Sequence, residues 1–143
     1  MAIHTLRGTI DSAETRRLII DDGVLTEGHR ITRFDIFPED MTAANADVSG
    51  MLVRESAAAR QEWLAEDNRQ LAWSSTTMST SNSLNNFTSI IDPEHIVIRE
   101  LYVTGYSNGG RVNYLVVLEP VSLTQDQAVL QLIKERSQDD LDR

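Results

Sequence analysis

Cysteine is absent from this chain, which removes disulfides, thiolate metal centres and cysteine nucleophiles together. A basic surface is missing as well: 13 Lys and Arg stand against 22 Asp and Glu, a formal net charge of −9. Proteins that grip a phosphate backbone present a basic stripe, and no such stripe is present, so nucleic acid is not an expected partner. No segment approaches the roughly eighteen apolar residues of a membrane span. The opening MAIHTLRGTIDS also lacks the apolar run of a secretion signal. The expectation is a soluble protein synthesised in a cytoplasm, without a membrane partner.

The usual signatures of catalysis are missing too. There is no Walker loop, no G-x-G-x-x-G and no G-x-S-x-G elbow, since Ser49 in VSG lacks the flanking glycine. The three histidines, His4, His29 and His95, lie near predicted strands or turns without the spacing of metal ligands. Acidic pairs at Asp21-Asp22 and Glu39-Asp40, and the Asp92-Pro93-Glu94-His95 segment, fit turn chemistry better than catalysis, because aspartate side chains hydrogen-bond their own backbone in turns. No calcium loop is spelled out. Asn86-Phe87-Thr88 matches a glycosylation acceptor by chance. No catalytic, cofactor-binding or metal residue is therefore assigned, and a non-enzymatic protein without cofactors is expected.

What is present describes a β-rich domain. At 143 residues, 41% hydrophobic and 24% charged, the chain suits one domain spanning 1–143 that buries roughly 70% of its unfolded surface. The strongest pattern is IVIRELYVTGYSNGGRVNYLVVLEP, residues 96–120. It reads as two long strands reversed at Asn108-Gly109-Gly110, where Asn-Gly and Gly-Gly accept the positive φ of a type I′ turn. A two-residue loop pairs Val103 with Tyr114 and Leu101 with Val116; a three-residue loop shifts the register. One face then collects Leu101, Val103, Val112, Tyr114, Val116 and Leu118, a core. The other carries Glu100, Tyr102, Thr104, Tyr106, Arg111, Asn113, Leu115 and Val117, too apolar for plain solvent and too polar for an interior. Tyr102, Tyr106, Arg111 and Leu115 are accordingly the candidate protein-interface residues.

Other strands are expected at 3–10, 17–20, 28–37, 48–54 with Gly50 as a bulge, 69–75 and 87–91. Ala13-Glu14-Thr15 offers one helical turn, and residues 55–67 suit either a short helix or an ordered loop. The run STTMSTSNSLNN is nearly all small and polar, fitting a long surface loop or an edge strand. Residues 124–136 are expected to form a C-terminal helix, with Thr124 and Gln127 as a capping box and Leu123 packing on Ala128 as a hydrophobic staple. Residues 137–143 form a charged tail expected to fray, and that tail is a further candidate contact surface. About eight strands with turns between them and one terminal helix predict an all-β antiparallel sandwich or jelly roll.

The opening LRGTIDSAETRRLIIDDG, the middle RITRFDIFPED followed by ADVSGML, the DNRQLAW segment and the end IIDPEHIVIRELYVTGY…VNYLVVLEPVSLTQDQAVLQLIKERSQD resemble small virion proteins of tailed bacteriophages, the head or capsid structural components. The resemblance spans nearly the whole chain and lies in overall order, not in a catalytic signature. It implies a β-rich cement or decoration protein, located on the capsid surface, that binds the assembled head shell and strengthens it. Its partners would then be the major capsid protein or other virion proteins, and copies of itself in a homo-oligomer. A tail or baseplate component fits the same character. A carbohydrate-binding sandwich, with Trp63 and Trp73 and the tyrosines Tyr102, Tyr106 and Tyr114 stacking on sugar rings, is the reading from a different class.

Overall fold

The computed structural model describes residues 4–20, 27–41, 45–79, 84–97 and 100–122. They form nine strands: β1 His4–Ile10, β2 Thr15–Ile19, β3 Glu27–Pro38, β4 Asn45–Val53, β5 Gln70–Ser79, β6 Leu84–Ile91, β7 Ile96–Val97, β8 Glu100–Ser107 and β9 Val112–Ser122. One 3₁₀ turn, Ser56–Ala58, is the sole helical element among the described residues. The expected C-terminal helix and tail lie outside them.

The strands make two antiparallel sheets, one ordered β1-β9-β3-β7 and the other β2-β8-β4-β5-β6. Their inward faces share one core, to which the first sheet gives Ile10, Phe34, Ile36, Val112, Val116 and Leu118 and the second Leu52, Leu101 and Val103, all fully buried. Each such side chain contributes about 1.5–3 kcal/mol by leaving water. This is the layout of a β-sandwich.

The long ribbon of residues 96–120 is the main correction. Its apolar face is as expected, but its two strands are not a hairpin: β8 pairs with β4 and β2, while β9 pairs with β1 and β3. Ser107 and Asn108 bond across to Ser12 and Asp47, with Ser107 N–H donating to Ser12 Oγ at 3.0 Å and Asn108 N–H to Asp47 O at 3.1 Å. Gly110, at φ +81°, then arches the chain into the opposite sheet. Alternation dictates which side chains face inward but not which strand lies alongside, and here the two apolar faces meet across the core. The chain changes sheet earlier too, between β7 and β8.

Smaller corrections have local causes. The register shift expected at Gly50 falls between Leu52 and Val53. Residues 11–14 form a tight turn, not a helical one, with Glu14 N–H donating to Asp11 O at 3.0 Å and Ala13 held at φ +71°. In β3 a second irregularity between Ile31 and Arg33 inverts the alternation, so Ile31, Phe34 and Ile36 are buried while Arg33 is exposed. The polar run after Trp73 is the end of β5 and the start of the edge strand β6, and its hydroxyls have a purpose. Beyond Arg30, β3 has no strand on its β7 side among the described residues. Ser74 Oγ instead accepts from Ile36 N–H at 3.1 Å, Thr76 Oγ1 donates to Ile36 O at 2.6 Å, and Ser89 Oγ donates to Phe34 O at 2.7 Å. Side-chain hydroxyls thus satisfy backbone groups that a ladder would otherwise pair, and they close the sandwich along that seam.

Candidate functional site

The two outer faces of the sandwich differ in what covers them. On the five-stranded sheet, Met51 and Val53 of β4 are buried beneath residues 54–69, with Ala58 on top and Ala59, Trp73 and Tyr102 packed around them. Arg69, only 8% exposed, pins this cover. Its Nε and Nη2 donate to the two carboxylate oxygens of Asp67 at 2.9 and 3.0 Å, and Nη1 donates to Glu55 Oε1 at 2.7 Å. The guanidinium holds the Asp67 carboxyl below the usual carboxylate range. Gln70 adds a second tie, its Oε1 accepting from Leu64 N–H at 2.8 Å and from Trp73 Nε1–H at 2.9 Å. Trp73 is therefore partly buried and hydrogen-bonded under the cover, whereas Trp63 is 36% exposed.

Removing Arg69 strands two carboxylates in a partly buried place. Arg69→Met is expected to cost about 3 kcal/mol in denaturant unfolding and to shift tryptophan emission to the red as Trp63 and Trp73 gain water.

The outer face of the four-stranded sheet is different: among the described residues no segment lies over it. Register sets out its rows as Thr5–Val117–Arg33, Arg7–Leu115–Asp35 and Thr9–Asn113–Phe37. Leu115 is the centre. Two adjoining depressions share Leu115 and Phe37: one of about 490 Å³ reaches Arg7 and Asn113, and one of about 560 Å³ crosses the hydroxyl-closed seam to Met41, Phe87 and Thr88. Met41 is 47% and Phe87 65% exposed, both high for large apolar side chains. Around this apolar centre stand Arg7, the Arg33–Asp35 ion pair and the Thr9–Asn113 hydrogen bond of 2.6 Å.

The four residues expected to form one interface are thus distributed over the molecule. Leu115 sits at the centre of this exposed face. Tyr102 and Tyr106 lie on the other sheet, Tyr102 at the edge of the covered cluster and Tyr106 in a polar hollow with Asp47, Ser49 and Gln61. Burial raises the Tyr102 hydroxyl above its ordinary pKa. Arg111 closes one end of the sandwich, donating to Asp11 Oδ1 and to Thr9 O, each at 3.1 Å. Phe37, Met41, Phe87, Arg33 and Asp35 were not singled out by the sequence. In GHRITRFDIF, Arg33, Asp35 and Phe37 fall on one side of an alternating strand, but nothing in that pattern says that β3 lies beside β9.

The acidic and histidine candidates resolve into structure. Asp92 Oδ1 accepts from Glu94 N–H at 3.0 Å, the turn bond expected of Asp-Pro. His4 and His29 meet edge to face with centroids 5.1 Å apart, far in sequence from His95, and no group of three or more His, Asp or Glu among the described residues could hold a metal ion. Burial, helped by the charge of Arg54 and opposed by Asp92, lowers the His95 pKa from 6.5 to about 4. A histidine kept neutral in the folded state takes up its proton first in the unfolded chain, so stability is full above pH 6.5 and falls as pH drops towards 4. Between pH 6.5 and 5 the expected loss is about 2 kcal/mol. Unfolding free energies of wild type and His95→Gln across that window check it, the variant curve being the flatter.

No protein-family profile, curated protein or solved structure matches this chain.

Proposed function

We propose that this chain is a non-catalytic structural protein that docks on a larger protein assembly through the outer face of the β1-β9-β3-β7 sheet. The observation that carries the reading is that face itself. Leu115, Phe37, Met41 and Phe87 form an apolar centre rimmed by Arg7, Arg33 and Asp35, the apolar-core and polar-rim arrangement of a protein interface. The opposite face, by contrast, is covered by residues of the same chain.

The assembly, on the sequence resemblance to small virion proteins, is the head shell of a tailed phage, and the role is that of a cement or decoration protein. Strand order supports the fold part of that resemblance. Setting β6 aside as an added edge strand, β1-β9-β3-β7 against β2-β8-β4-β5 is the order of two interlocked Greek keys, the jelly roll found in viral capsid and lectin domains. An acidic accessory also suits a capsid exterior better than a DNA-packed lumen. Quantitative detection of the chain on purified particles tests the role: a fixed copy number relative to the major shell protein is expected, and its absence from particles, or presence only on tails, would remove the head assignment.

A further inference from the structure

We infer that β6 is a dimerisation edge, through which two copies of this chain join their five-stranded sheets into one continuous sheet about a two-fold axis. β6 is the outermost strand of its sheet, paired with β5 from Leu84 to Ile91, and no strand among the described residues lies on its other side. A free edge offers a row of backbone N–H and C=O groups that template another strand. Natural monomers guard such edges with lysine, proline, inward charges or bulges. The stretch LNNFTSII has none of these, and its pairing with β5 runs without a register shift.

Charge selects the partner. From Gln70 to Ile91 no residue is charged, in a chain whose net charge is −9. Two copies repel over most of their surfaces, and the β5–β6 ribbon is where that repulsion is least. Ile90, 50% exposed, stands on the outer side of the strand, across from Trp73, where an antiparallel copy of β6 would cover it. A strand paired with its own copy around a two-fold is self-complementary, every contact occurring twice. The hydroxyl bonds from Ser74, Thr76 and Ser89 to β3 anchor the ribbon, so the edge is presented in a fixed position. The dimer edge and the docking face meet at β6, whose Phe87 and Thr88 border the seam depression, but Ile90 and Leu115 face outward from opposite sheets, so Ile90→Lys and Leu115→Asp probe the two surfaces separately.

The absence of cysteine makes the test clean. Single cysteines placed in the full chain at Asn85, Asn86, Thr88 and Ile90, and at Ser56 as a distant control, are oxidised at equal concentration. Disulfide dimer is expected to peak at the position nearest the axis and to fall about tenfold two residues away, with none at Ser56. Sedimentation of the wild type should show a dimer whose dissociation constant does not rise between 50 mM and 500 mM salt, since screening relieves like-charge repulsion. Ile90→Lys should be monomeric with an unchanged melting temperature. A wild type that is monomeric at about 100 µM, cross-linking that is equal at all positions, or an Ile90→Lys dimer as tight as wild type overturns the inference.

Discussion

Gly50→Ala should cost about 3 kcal/mol and lower the melting temperature by about 10 °C, a large effect for one methyl group. A Cβ at this position would lie 2.6 Å from the backbone carbonyl oxygen of Thr104 and 2.9 Å from the Ile36 side chain. Gly50 is on β4, paired with Gly105 of β8, and it is buried where the two sheets approach. The obstacle is backbone held in a ladder, so relief requires β8 to move. At Gly8 the comparable clash, 2.7 Å, is with the hydroxyl end of the Tyr114 side chain, and rotation of one ring can absorb it. Gly8→Ala should therefore cost about 1 kcal/mol less than Gly50→Ala. Urea unfolding of the two variants beside wild type decides the matter, and equal stabilities would show that the close approach at Gly50 does not matter.

Leu115→Asp should weaken docking on the shell by about 30-fold or more, the loss that accompanies truncation or charging of a central anchor. Leu115 occupies the middle of the exposed face, between Arg7 and Asp35 in register, and both depressions on that face reach it. A carboxylate there would be desolvated on contact and would stand beside Asp35, which repels it, with Arg7 alone in register on the other side to offset the charge. The residue is only half-buried in the free molecule, so the fold should tolerate the change. A melting temperature within a few degrees of wild type separates loss of docking from loss of structure.

Much of the fold is written in the alternation of apolar residues. Leu101, Val103, Val112, Val116 and Leu118 were assigned inward from spacing alone, and each is fully buried. Neighbourhood was not legible in the same way. Asn108-Gly109-Gly110 has the chemistry of a hairpin turn, but β8 pairs with β2 and β4 and β9 with β1 and β3. That outcome depends on contacts far apart in sequence, which no local pattern encodes. The mixed character of the second face has two separate origins: Tyr102 packs at the edge of the cluster under residues 54–69, whereas Leu115 belongs to an exposed surface on the other sheet. The polar run from Ser75 to Asn86 suits a loop or an edge strand by composition, and its last residues do begin the edge strand β6, but the role of the β5 hydroxyls, closing the β3 edge, needs a partner about 40 residues away in the chain, as in the Thr76 bond to Ile36. In β3, one irregularity after Ile31 was enough to exchange the two faces of a strand whose alternation looked regular.

Co-sedimentation of the purified chain with head shells assembled without it tests the docking face most directly, with wild type, Leu115→Asp and Tyr106→Ala compared at equal concentration. The wild type is predicted to saturate at a fixed ratio to shell protein, Leu115→Asp to remain in the supernatant, and Tyr106→Ala, altered on the opposite sheet, to bind within about twofold of wild type. Shells that bind none of the three, or that bind Leu115→Asp as tightly as wild type, would contradict the account.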